Sequence, residues 1–168
     1  MATDRHAWAV ERLALEGHEQ VLEIGCGRGL ATVRVCARLT TGRVTAIDRS
    51  ANAIAAARKR NDACLAAGRL MLIQTSLADL AIDTRPFDLA FAVNVNLFWI
   101  GAGRELAVLR NVLAPGGRLH LVYQPPSPAK RDSLIEQCRR ALDADGFELM
   151  DMITAAPDLL SITASAVG

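Results

Sequence analysis

Short aliphatic runs alternate with amphipathic stretches along this chain, and that alternation constrains the fold more than any other feature. The runs fall at residues 20–24, 43–48, 70–74, 87–94, 118–123, 147–153 and 159–166. Most are near-continuously apolar, as strands covered on both faces are. Helical patterns lie between them at 3–15, 30–39, 50–67, 103–113 and 129–144. Strand–helix alternation predicts an α/β sandwich with a mainly parallel sheet. Only residues 154–158 separate the last two runs. A parallel crossover needs a longer connection, so these two strands are predicted to be antiparallel.

Composition supports one domain over residues 1–168. Apolar types make up 51% of the chain but aromatic types only 4%, which describes an aliphatic core. The formal net charge is +1, without the basic excess of a nucleic-acid binder. The N-terminal segment has no signal-peptide pattern. No run approaches the ~18 apolar residues of a membrane span. A cytoplasmic protein is therefore expected. Its four cysteines, Cys26, Cys36, Cys64 and Cys138, have no metal-ligand spacing and are expected as reduced thiols.

The strongest local signal is Val21-Leu22-Glu23-Ile24-Gly25-Cys26-Gly27-Arg28-Gly29, which follows a strand and opens a helix. Glycines there permit a tight turn and close approach of a ligand to backbone amides. Asp48 ends the next strand, about 20 residues on, where a carboxylate can accept two hydrogen bonds from a ribose diol. The pattern departs from the dinucleotide fingerprint because Leu30 stands where a third small residue belongs. Glu23 beside the loop disfavours a pyrophosphate. These residues point to a nucleoside that lacks one.

From about Gln20 onward, the sequence resembles a class I S-adenosylmethionine-dependent methyltransferase. The segment 21–29 is similar to the family's first motif, and Val44-Thr45-Ala46-Ile47-Asp48 to its second. Phe87-Asp88-Leu89-Ala90-Phe91 resembles the start of strand four. Leu113-Ala114-Pro115-Gly116-Gly117 resembles the turn before strand five. The resemblance implies a three-layer Rossmann-like sandwich with seven strands in the order 3-2-1-4-5-7-6 and strand 7 antiparallel. It implies S-adenosylmethionine as cofactor and S-adenosylhomocysteine as product.

Carried over residue by residue, Gly25, Cys26, Gly27 and Gly29 form the loop against the methionine part, with Glu23 near its ammonium. Asp48 holds the ribose, Arg49 flanks the adenine, and Asn94 faces the methyl group. Many relatives place Gly-Asp after strand three, but this chain has Thr75-Ser76 and then Leu77. The adenine contact then falls to Ser76 or to Asp79 one turn on.

The acceptor side is expected beyond the carboxyl ends of the strands. Trp8, Asn96, Phe98, Trp99 and Tyr123 are the residues expected to shape its pocket. Trp8 and His6 lie on the segment 1–19, a helix that covers the site in relatives. Asn94, Tyr123 and His6 are the candidates for a catalytic role, and no base is assigned. The loop after strand four lacks the Pro-Pro signature of enzymes acting on base or amide nitrogens. A small-molecule acceptor is the leading expectation. RNA or protein methylation, and a cofactor-binding domain without turnover, are the alternatives.

Overall fold

The computed structural model describes residues 4–81, 86–97, 102–155 and 158–167. The elements run α1 (Arg5–Arg12), β1 (Gln20–Ile24), α2 (Leu30–Arg38), β2 (Arg43–Asp48), α3 (Ala51–Arg60), α4 (Asp62–Ala66) and β3 (Leu70–Gln74). They continue with β4 (Phe87–Val93), α5 (Gly103–Val112), β5 (Leu113–Tyr123), α6 (Pro128–Ala144), β6 (Phe147–Ala155) and β7 (Leu159–Ala166). The sheet order is β3-β2-β1-β4-β5-β7-β6. β1 to β5 pair in parallel, and β7 is antiparallel to both β5 and β6. This is the order that the resemblance implies, with the antiparallel end that the short connection before β7 predicts.

Alternation along β1 shows how the sheet divides its burial. Leu22 and Ile24 join a core with Leu106 and Leu109 of α5 and Leu142 of α6. Val21 joins the opposite core with Val10 and Leu13 near α1, Val35 of α2 and Ala57 of α3. Successive side chains of a strand point to opposite faces, so one short apolar run feeds both layers. Leu22, Leu89, Leu119 and Leu121 are fully buried. Each such side chain contributes about 1.5–3 kcal/mol of transfer free energy. Among the described residues no helix is long and apolar enough to cross a membrane.

Three differences from the sequence reading exceed a shift of one or two residues at an element's end. The helix expected over 50–67 is broken at Asn61, whose Nδ2 donates to the carbonyls of Ala57 (2.9 Å) and Gly29 (3.3 Å). An Asn side chain competes with the helical backbone in this way. β5 begins at Leu113 rather than 118. Leu113 pairs with Phe87, the register then shifts, and regular pairing resumes at Arg118 with Leu89. The glycines of 114–117 form an irregularity inside the strand rather than a turn before it. α1 is shorter than 3–15, ending before Ala14 at a positive φ of 49°.

The cysteine expectation needs correction. Cys36 of α2 and Cys64 of α4 form a disulfide with a Cα–Cα distance of 6.3 Å, while Cys26 and Cys138 are free and buried. The pairing depends on Cys36 and Cys64 meeting in one core, which spacing along the chain does not reveal.

Candidate functional site

The parallel strands end together at one edge, and the loop after β1 crosses it. Gly25, Gly27 and Gly29 all take the left-handed conformation, with φ of 64°, 53° and 74°. Residues with a side chain avoid that region. At Gly25 the reason is also spatial, because a Cβ there would meet Val95 Cγ2 at 2.6 Å. At Gly29 it would press on Ala57 at 3.1 Å and on the Asn61 amide. Asn61 is the residue that breaks the α3–α4 helix, so that break and the loop's last glycine are one packed unit.

Two hydrogen bonds dock the loop on β2. Cys26 N–H donates to the Ile47 carbonyl at 2.9 Å. Gly27 N–H donates to Asp48 Oδ2 at 2.8 Å. Asp48 Oδ1 accepts from Ser50 N–H at 2.9 Å, and Ser50 Oγ caps α3 through Ala53 N–H at 3.2 Å. Each carboxylate oxygen has a second acceptor position beyond these bonds, so the group retains capacity for a diol.

Glu23 has the parity of Val21 and turns toward α2. Its Oε2 accepts from Thr32 Oγ1 at 2.6 Å, and both residues are buried. Burial pushes its carboxyl up to about 8, against the pull of the Thr32 hydroxyl and helped by the nearby Asp48 charge. Burial, with Glu23 and Asp48 behind it, pushes the Cys26 thiol up to about 12. A thiol held there is protonated at neutral pH and is not a nucleophile.

Six of the residues expected around the cofactor line one cleft of about 350 Å³: Gly25, Asp48, Arg49, Ser76, Leu77 and Asn94. Glu23, Cys26, Gly27 and Gly29 stand beside it on β1 and the loop. A second cavity of about 660 Å³ lies against α6, with Tyr123, Gln124, Lys130 and Leu134 in its wall. Asn94 and Asn96 line both, so the two spaces meet at the end of β4. Both volumes fall in the ordinary range for small-ligand sites, about 300–1,000 Å³.

Asn94 occupies that junction with φ of 55°. Its Oδ1 accepts from Gln124 N–H at 2.7 Å, and its own N–H donates to the Val122 carbonyl at 2.8 Å. The strained residue is thus tied to the end of β5. On the far wall, Ser76 Oγ donates to Asp79 Oδ2 at 2.6 Å and accepts from Asp79 N–H at 3.1 Å. Arg104 holds the other Asp79 oxygen at 3.0 Å. The two residues left open for the adenine contact therefore form one cluster.

The other candidates are less central. Tyr123 is buried, and its hydroxyl has no hydrogen-bond partner among the described residues. Burial raises its pKa well above the usual phenol range, so it stays protonated. His6, half-buried on α1, is held below the ordinary histidine range, first by burial and then by Arg5. His6 and Trp8 are outside the linings of both cavities among the described residues. Phe98 and Trp99 lie outside the described residues. His120 is buried within β5 with Nδ1 3.2 Å from Thr163 Oγ1, and burial lowers it to about 4.

Glu105 and Val95 also line the smaller cleft, and sequence reasoning assigned neither a role. Glu105 belongs to the first turn of α5. Its signal was an acidic residue opening the helix after β4, visible only once that helix is known to start beside the cleft. Asp48 and Glu105 outweigh Arg49 in formal charge, while Glu23, its carboxyl raised to about 8, adds none at neutral pH. A cleft of that sign repels a pyrophosphate and suits a ligand carrying ammonium or sulfonium charge. The residues present therefore fit the cofactor that the sequence resemblance implies.

A profile described as a methyltransferase domain matches residues 21–117, from β1 through the irregular start of β5. The chain belongs to the class I S-adenosylmethionine-dependent methyltransferases. It is 34% identical over 121 residues to a trans-aconitate 2-methyltransferase of Acidovorax ebreus (strain TPSY), covering 70% of this chain and 44% of that one. It is 25% identical over 149 residues to the methyltransferase YdaC of Bacillus subtilis (strain 168), covering 86% of this chain and 80% of that one. The chain spans less than half the length of the first curated relatives it matches, 28% of one from Synechococcus and 44% of the Acidovorax enzyme. Among solved structures, a SAM dependent methyltransferase from Aquifex aeolicus superposes with a TM-score of 0.81 at 17% identity, covering 96% of this chain and 89% of that one. The glycopeptide N-methyltransferase MtfA complexed with sinefungin gives 0.79 at 21%, covering 99% and 88%. At these identities the likeness shows the fold.

Proposed function

We propose that the protein transfers the methyl group of S-adenosylmethionine to a small-molecule acceptor held in the cavity beside α6. The observation that carries this reading is the junction at Asn94 and Asn96. It joins a nucleoside-sized cleft of about 350 Å³ to a separate cavity of about 660 Å³.

In this reading the Gly25–Gly29 loop lies along the amino-acid end of the donor, and Glu23 sits behind it. Asp48 accepts the ribose hydroxyls, Arg49 and Leu77 flank the base, and Ser76 meets its edge. Asn94 stands at the transferred methyl. When bound, the donor would supply a methyl on a sulfonium: the acceptor's lone pair makes the new bond to carbon, the C–S bond breaks, and its electron pair stays on sulfur. The chain's part is positioning and exclusion of water. No histidine lines either cavity among the described residues, and the Tyr123 phenol is protonated. The acceptor atom therefore brings an available lone pair of its own, and any released proton goes to water.

The test is incubation with methyl-labelled S-adenosylmethionine and separate small-molecule, RNA and protein fractions of a cell extract. Label in the small-molecule fraction is the expected result. Label confined to RNA or protein overturns the acceptor class.

A further inference from the structure

We infer that the acceptor is a carboxylate with an apolar body, and that Lys130 is the residue that selects it. This rests on the α6 cavity being the acceptor site.

The first argument is charge. Lys130 is the one charged residue in the described lining of that cavity. The chain has only two lysines, Lys59 and Lys130, against an abundance of arginine. Lys130 makes no ion pair among the described residues, whereas its neighbour Arg131 is paired with Asp132 at 3.3 Å. Arg5 adds a second positive group at the rim, donating to Gln124 Oε1 at 3.3 Å. Among the described residues no carboxylate lines the cavity to balance them.

The second argument is position. Lys130 sits in the first turn of α6, which starts at Pro128 behind the Ser127 cap. That end of a helix favours negative charge, and Ser133 one turn on adds a hydroxyl to the same wall. The third argument is the rest of the lining. Tyr123, Pro125 and Leu134 offer an apolar wall, and the buried Tyr123 hydroxyl is unpartnered. A wholly polar ligand would leave that wall unused.

The cofactor cleft has the opposite balance, with Asp48 and Glu105 against Arg49. The two joined spaces thus sort a cationic donor from an anionic acceptor.

The test is calorimetry on the full chain saturated with S-adenosylhomocysteine, titrated with indole-3-acetate and, separately, with indole-3-acetamide. The two probes differ in charge and little in size. The acid is expected to bind about fivefold tighter, the upper weight of a partly exposed charge pair. Lys130→Gln brings the acid-to-amide affinity ratio close to one, and Lys130→Arg restores most of the preference. Lys130 is exposed, so neither variant threatens the fold. Equal affinity for acid and amide, retention of the preference in Lys130→Gln, or no binding of either probe overturns the inference. Absence of S-adenosylhomocysteine binding in the first step overturns the proposed function instead.

Discussion

The Gly27 amide donates to Asp48 Oδ2 at 2.8 Å, so the loop after β1 and the carboxylate ending β2 form one unit. The same carboxylate reaches Ser50 N–H at the start of α3. A single side chain therefore fixes one amide of the loop and the start of α3, and carries the acceptor atoms offered to a diol.

Asp48→Ala is predicted to weaken S-adenosylhomocysteine binding by about 1.5–3 kcal/mol, the scale of losing a charged hydrogen-bonding partner. Calorimetry reads this directly. An unchanged affinity removes Asp48 from the site.

Two glycines in one loop should tolerate alanine differently. Both Gly25 and Gly27 are left-handed, and the backbone strain alone is worth about 1–2 kcal/mol. A Cβ at Gly27 meets nothing within 4 Å, whereas at Gly25 it strikes Val95. Displacing Val95 adds about 1–3 kcal/mol. Denaturant midpoints should place Gly25→Ala below Gly27→Ala, and the reverse order contradicts the packing described.

Glu23 should make stability depend on pH. Its folded value, raised to about 8 from 4.5, means the native state binds the extra proton across that window. Stability from this group is full below about 4.5 and is lost as pH rises toward about 8. Unfolding free energy measured against Glu23→Gln should fall for the wild type through that range. A constant difference between the two proteins rules the buried carboxyl out as the cause.

Alkylation of the unfolded, unreduced chain should label two thiols, Cys26 and Cys138, with Cys36 and Cys64 reacting only after reduction. Reduction should also lower stability by about 2–4 kcal/mol, the usual weight of a cross-link. Four labelled thiols before reduction would contradict the bond.

Much of the fold was legible because apolar runs and glycine turns are local signals. The short 154–158 connection alone fixed the antiparallel end of the sheet. Glu23, Asp48 and the loop glycines could be read because their chemistry follows directly from their place at strand ends. Glu105 and Lys130 could not, because each reaches a cavity through a helix whose start had to be placed in space first. The Asn61 break was hidden by an Ala-rich stretch of good helix formers, where one buried amide overrides propensity. The Cys36–Cys64 pairing was illegible for the same reason, since it belongs to the contact between two helices.

The central claim is that the β1–β2 edge holds S-adenosylmethionine beside an acceptor cavity. It is tested most directly by calorimetric titration of the wild-type chain with S-adenosylmethionine, followed by displacement with S-adenosylhomocysteine. The account predicts saturable binding at one site per chain that the product displaces and that Asp48→Ala weakens. No heat of binding and no displacement would contradict it.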